Sequence, residues 1–181
     1  MSVVTRIRLS QELTVPFTPE EVWRVLADVG AYPDWWPAAL RVELVHNPSD
    51  LLGAEFEVRP LLGSMFRIRV EELEGAVSMR LRFFGSLEGP GGFHLLALDG
   101  ATQVRYEMDV FARGLDVAVL SVVLPLERIH RSRMRAVLQS LFGRLAALRV
   151  TEEKARRRVE EDEGARRAAE AAEKRRAEEE A

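Results

Sequence analysis

The chain contains no cysteine. Disulfides, thiolate metal sites and a cysteine nucleophile are thereby excluded. Histidine is scarce: His46, His94 and His130 are the only three, and no two have metal-ligand spacing. No Ser/His/Asp arrangement and no phosphate-cradling glycine loop is visible. Neither a metal nor another cofactor is therefore expected. No apolar run approaches the ~20 residues of a membrane span. The longest, Val117 to Leu126, is interrupted by Ser121 and Pro125. The first residues show no long apolar region behind basic ones, so no signal peptide is expected and a cytoplasmic location is the default. The net charge is only −3 over 181 residues, which gives no global electrostatic reason to expect nucleic acid as a partner. Lysine is nearly missing (Lys154 and Lys174), and Asn47 is the only asparagine. GC-rich coding or a hot environment would each leave that mark.

What is present suits one globular domain with an extra piece, since 47% of the residues are hydrophobic. Val3 to Val15 alternates apolar and polar residues and reads as a long first strand. A helix follows, with its start written in the sequence. Thr18 can accept from an orphan amide of the first turn. Pro19 falls at the first helical position. Glu21 completes a capping box, and Phe17 with Val22 fits a hydrophobic staple. Val22, Val25, Leu26 and Val29 share one apolar face, and Gly30 sits where a glycine would end the helix. Tyr32-Pro33-Asp34-Trp35-Trp36-Pro37 then places three aromatics and two prolines where a surface loop would be polar.

The run from Val15 to Pro37, of the form VPxxPEEVWxxLADVxxYPxWWP after an N-terminal strand, resembles the START-like, helix-grip superfamily of polyketide cyclases/dehydrases and lipid-transfer domains, including coenzyme Q-binding START-type members. The resemblance covers roughly the first four-fifths of the chain. It implies an α+β helix-grip fold: a curved antiparallel sheet of about seven strands wrapped around a long C-terminal helix, two short helices after the first strand, and a ligand cavity between helix and sheet. It does not fix a reaction.

Beyond the aromatic knot, Leu40 to His46 alternates, Asn47-Pro48-Ser49-Asp50 breaks the pattern, and four more alternating runs follow. Turn chemistry predicts their registers. Asp99-Gly100 as a two-residue turn pairs Leu95 with Val104 and Phe93 with Tyr106 and sends His94 outward opposite Arg105. Glu74-Gly75 as a two-residue turn pairs Glu72 with Val77, Val70 with Met79, Ile68 with Leu81 and Phe66 with Phe83. Leu62-Gly63-Ser64 as a three-residue loop pairs Phe56 with Val70 and Val58 with Ile68, keeping apolar against apolar.

Leu115 to Val150 reads as helical. Leu126, Ile129, Val137, Leu138, Leu141, Leu145 and Leu148 keep helical spacing, with Pro125 a kink or a starting point. Residues 1–150 are thus one domain and residues 151–181 a separate charged region. The latter is Glu-, Arg- and Ala-rich, lacks an apolar heptad seam, and reads as a solvated helix or a disordered tail with favourable i,i+4 pairs such as Glu163/Arg167.

The candidate ligand-contacting residues are Tyr32, Trp35, Trp36, Phe66, Ile68, Met79, Leu81, Tyr106 and Met108. Tyr32, Trp35 and Trp36 either wall a cavity mouth or plug one end of the sheet. Glu72 and Tyr106 are the candidate catalytic residues. In the expected register, Glu72 lies on the apolar face, where desolvation would raise its pKa and suit acid–base work; alternatively, that face opens to water near the turn. The Tyr106 hydroxyl would bond either a ligand carbonyl or an internal partner. Arg128, Arg131, Arg133 and Arg135, with Arg67, Arg69, Arg80 and Arg82, form basic patches, either solvated and offset by glutamates or suited to transient contact with an anionic membrane surface. The leading expectation is a protein that binds an apolar small molecule such as a polyisoprenoid quinone, lipid or polyketide. The alternatives are a cyclase/dehydrase-type enzyme using Glu72 or Tyr106, and an accessory module that recruits a protein partner through the tail.

Overall fold

The computed structural model describes residues 4–61, 63–113 and 126–179. Seven strands form one antiparallel curved sheet in the order β1-β7-β6-β5-β4-β3-β2. They are β1 (Val4–Val15), β2 (Leu40–His46), β3 (Glu55–Pro60), β4 (Phe66–Glu74), β5 (Ser78–Gly85), β6 (Leu87–Leu98) and β7 (Ala101–Arg113). Helix α1 (Pro19–Ala27), a 3-10 turn (Val29–Ala31) and α2 (Tyr32–Trp35) connect β1 to β2, and α3 (Leu126–Glu179) follows the sheet. The expected helix-grip architecture is therefore what the chain adopts. The expected helical reading of Leu115 to Pro125 falls outside the described residues.

The chain divides into two compact units, Met1–Leu145 and Ala146–Ala181. In the first, alternation decides everything. Odd positions of β1 and even positions of β7 turn inward, so Ile7, Leu9, Val104, Met108 and Val110 are buried, while Arg6 and Arg8 on the outer face bind Asp109 at 2.7 and 3.0 Å. Val137, Leu138, Leu141 and Leu145 of α3 are buried within the same unit, as their 3-and-4 spacing requires. In the second unit, the described side chains of α3 from Val150 onward are exposed, and the helix carries i,i+4 ion pairs, Arg156 with Glu160 at 3.0 Å and Arg167 with Glu163 at 3.3 Å.

The start of α1 follows its sequence signals. The Glu21 amide donates to Thr18 Oγ1 at 3.3 Å, and the Thr18 amide donates to Glu21 Oε2 at 2.7 Å. Its end does not. The helix closes at Asp28, and Gly30 lies inside the 3-10 turn without a positive φ.

The β6–β7 register is the expected one, with Phe93 opposite Tyr106, His94 opposite Arg105 and Leu95 opposite Val104. Two others differ. In β3–β4, Phe56 faces Ile68 and Val58 faces Phe66, a slip of two residues produced by a longer connection. An even slip leaves every side chain on its expected face, and on the outer side Glu57 pairs with Arg67 at 3.4 Å. In β4–β5, Ile68 faces Phe83 and Val70 faces Leu81, then a bulge at Glu71 shifts the ladder and Glu72 faces Arg80. The turn is three residues long, Gly75 to Val77, with Gly75 at φ +44°. The bulge changes the parity of the strand end, putting Leu73 opposite buried Met79 and leaving Glu71 and Glu72 both outside.

Candidate ligand site

The inner face of the sheet and the first turns of α3 enclose a small cavity. The sheet contributes Leu40, Val58, Phe66, Ile68, Leu81, Phe83, Leu87, Phe93, Tyr106 and Met108, and Trp36 closes one end. The helix contributes His130, Arg133 and Met134. The space open to the centre of a water-sized sphere is about 20 Å³, which is room for about one water. Typical small-molecule pockets span roughly 300–1,000 Å³. A ligand of several rings or a long chain enters only if side chains move apart, and Met108 and Met134 are the flexible ones on opposite walls.

Four polar side chains reach this apolar space. Tyr106 is 2% exposed, packs its ring 5.1 Å from that of Phe93, and among the described residues donates to the thioether of Met108 at 3.5 Å. Burial pushes its phenol well above the usual range, so it stays protonated. His130 is pushed down to about 4, first by burial and then by the charge of Arg133; its imidazole is neutral at pH 7. Burial also lowers Arg133. The indole Nε1 of Trp36 is buried and has no hydrogen-bond partner.

The expected contact residues thus separate. Trp36, Phe66, Ile68, Leu81, Tyr106 and Met108 share the cavity. Tyr32, Trp35 and Met79 are buried but do not line it. Tyr32 is tied into the end of α1, its hydroxyl donating to the Leu26 carbonyl at 2.6 Å. Its ring stacks on Trp36 at 5.2 Å and meets Trp35 and Phe56 edge-on at 5.2 and 5.3 Å. This knot fixes Trp36 from behind. The placement expected for Glu72 is corrected: the bulge turns it outward, where it pairs with Arg80 at 2.6 Å, with about 60% of each side chain exposed. It faces no cavity.

The sequence reading did not single out His130 and Arg133 as cavity residues. Their signal is helical spacing: stepping back from Leu145 by three and four residues passes Leu141, Leu138, Val137, Met134, Arg133 and His130. Two polar residues on an otherwise apolar stripe mark where the stripe meets something other than core. Arg128, Arg131 and Arg135 of the same patch are exposed. A larger open depression of about 570 Å³ lies partly on the outer face, beside Arg8, Arg80, His94, Glu107 and Asp109, but Arg8 and Arg80 already pair with Asp109 and Glu72. Among the described residues, no group of three metal-ligating side chains occurs, and no helix is long and apolar enough to cross a membrane.

A curved antiparallel sheet closed by a C-terminal helix over an apolar interior defines the helix-grip class. The chain belongs to the polyketide cyclase / dehydrase and lipid transport family, whose model matches residues 6–149. Among solved structures it is similar to the Zhui aromatase/cyclase of Streptomyces sp. R1128 (20% identity, 78% of this chain and 94% of that chain, TM-score 0.62). A START superfamily protein of Mycobacterium smegmatis matches at 15% identity over 78% and 98% of the two chains, TM-score 0.61. A norcoclaurine synthase point mutant of Thalictrum flavum matches at 10% identity over 82% and 98%, TM-score 0.61. At these identities the likeness is one of fold. No curated protein sequence matches the chain significantly.

Proposed function

We propose that the protein binds an apolar small molecule, of the polyisoprenoid quinone, lipid or polyketide kind, between the inner sheet face and α3. The observation that carries this reading is the cavity wall: ten of its fourteen lining residues are aliphatic, phenylalanine or methionine, and they continue into the core rather than ending at a catalytic cluster. Apolar burial supplies the affinity, and the few polar groups orient the ligand. The test is extraction of the purified protein with organic solvent and mass spectrometry of the extract, together with titration by N-phenyl-1-naphthylamine, a neutral ring compound that fluoresces in apolar surroundings. Recovery of an apolar compound and saturable binding are expected. An interior that yields nothing and takes up no probe overturns the reading.

A second reading, a cyclase/dehydrase-type enzyme, is favoured by one observation. A protonated phenol, Tyr106, and a neutral imidazole, His130, line the same cavity, which places a hydrogen-bond donor and a proton acceptor on its walls. Glu72, exposed and ion-paired, takes no part in it. Turnover of a poly-β-ketone substrate by Tyr106→Phe at the wild-type rate removes Tyr106 from that mechanism.

A further inference from the structure

Among the described residues, the most exposed large apolar side chain is Leu61, at 82%, and Met65 is exposed to 45%. Both belong to the connection between β3 and β4, and residues 60–66 include no charged side chain. The Leu61 amide donates to the Ala39 carbonyl at 2.9 Å, which ties this connection to a second uncharged stretch, residues 36–40. The two stretches lead inward to Trp36, Leu40 and Phe66, three residues of the cavity wall. The outside of that end of the cavity is thus an apolar projection, and such a surface marks a contact. Its border is basic. Arg41 and Arg59 stand directly opposite each other on β2 and β3, and Arg67 faces Glu57 on the next strand. Arg59 and Arg67 share the carboxylates of Glu43 and Glu57, whereas Arg41 is exposed and has no ion pair among the described residues. Like charges directly opposite are unfavourable, and a negative surface relieves them. The other end of the sheet is the contrast. Val77, Leu96 and Leu98 are also exposed, but the Val77 amide donates to the Glu74 carbonyl and Leu98 precedes Asp99, so the charge there has the opposite sign.

We infer that the projection carrying Leu61 and Met65 is a docking surface for an anionic lipid bilayer. The two apolar side chains enter the headgroup layer, where they leave water. Arg41 and Arg59 meet the lipid phosphates around them. Trp36, partly exposed, belongs to a residue type that favours the membrane–water interface. Docking in this pose sets the Trp36 end of the cavity against a store of apolar molecules. The purpose of docking rests on the proposed binding of an apolar molecule, while the docking itself is measured without one.

The experiment is co-sedimentation of the full chain with vesicles of phosphatidylcholine alone and of phosphatidylcholine mixed with phosphatidylglycerol. The wild type is expected to sediment with the mixed vesicles. Leu61→Ser combined with Met65→Ser, which changes no charge, should weaken that binding about tenfold through lost apolar burial. Arg41→Gln should weaken it roughly fivefold, the share of one arginine at an anionic surface. Leu96→Ser, at the acidic end of the sheet, should leave it unchanged. All four positions are exposed, and an unchanged urea midpoint verifies that each variant is folded. A wild type that stays in solution with the mixed vesicles overturns the inference. So does a double variant that binds like the wild type, or an equal loss in Leu96→Ser. A double variant that alters the oligomeric state while vesicle binding persists assigns the projection to a second copy of the chain and overturns it too. If vesicle binding follows the expected pattern but N-phenyl-1-naphthylamine does not bind, the ligand-binding reading falls and the docking surface stands; the reverse result removes only the docking surface.

Discussion

Substituting His130→Gln should flatten part of the stability-versus-pH profile. In the folded protein the imidazole titrates near 4 rather than at its ordinary 6.5, first because burial disfavours the charged form and second because Arg133 is close. The unfolded chain therefore takes up a proton as the pH falls through the ordinary value, and the folded chain does not until much lower. Stability from this residue is fully present above about pH 6.5 and is lost as the pH falls toward about 4. The gap between 6.5 and about 4 has a ceiling of about 3 kcal/mol, at roughly 1.4 kcal/mol per unit. The residue is partly exposed, so screening by solvent reduces this, and about 1–2 kcal/mol is the expected loss. Urea unfolding of wild type and His130→Gln at several values between about pH 7.5 and about pH 4.5 measures it. The wild type should lose that much more stability than the variant over the interval. Subtracting one profile from the other cancels the contributions of other titrating groups. Parallel profiles would refute the argument that the ring is held neutral in the cavity wall.

Two further outcomes follow from the same placements. Leu141 is fully buried under the sheet, so Leu141→Ala should cost about 2–5 kcal/mol by urea unfolding, through lost transfer energy and a residual cavity. Glu72→Gln should change stability by no more than about 1 kcal/mol and leave N-phenyl-1-naphthylamine binding unchanged, because its partner Arg80 and the pair itself are exposed.

The β6–β7 hairpin was legible to the residue because Asp99-Gly100 is a two-residue turn, and two residues leave one register. β3–β4 was legible only in its faces: the true register is two residues away, and period-two alternation cannot distinguish even slips. The Glu72 placement failed for a reason that alternation hides. Val70, Glu71, Glu72 and Leu73 fit an unbroken strand with Glu72 inside or a bulged one with Leu73 inside, and only the pairing of Leu73 with Met79 decides between them. The helix side of the cavity was obscured by composition. An Arg-rich stretch reads as solvated, and His130 and Arg133 carry the polarity of the exposed Arg131 and Arg135 while sharing the face of Val137 and Leu141. The capping box, by contrast, was readable because its partners are three residues apart and need no tertiary context.

The bulge at Glu71 acts as a phase shift in a two-state code. Upstream of it, even-numbered residues of β4 belong to the interior; downstream, odd-numbered ones do. One residue of length, with no change in any side chain's chemistry, therefore selects whether this strand offers a carboxylate or a leucine to the interior. Flattening the bulge with Glu71 kept would bring the carboxylate of Glu72 around to the side of Val70 and strip it from Arg80, whereas deleting Glu71 would leave Glu72 opposite Arg80 and Leu73 opposite Met79 in a regular ladder. A scaffold of this kind can exchange an apolar side chain for a carboxylate on its inner face by gaining or losing a bulge, leaving the rest of the sheet in place.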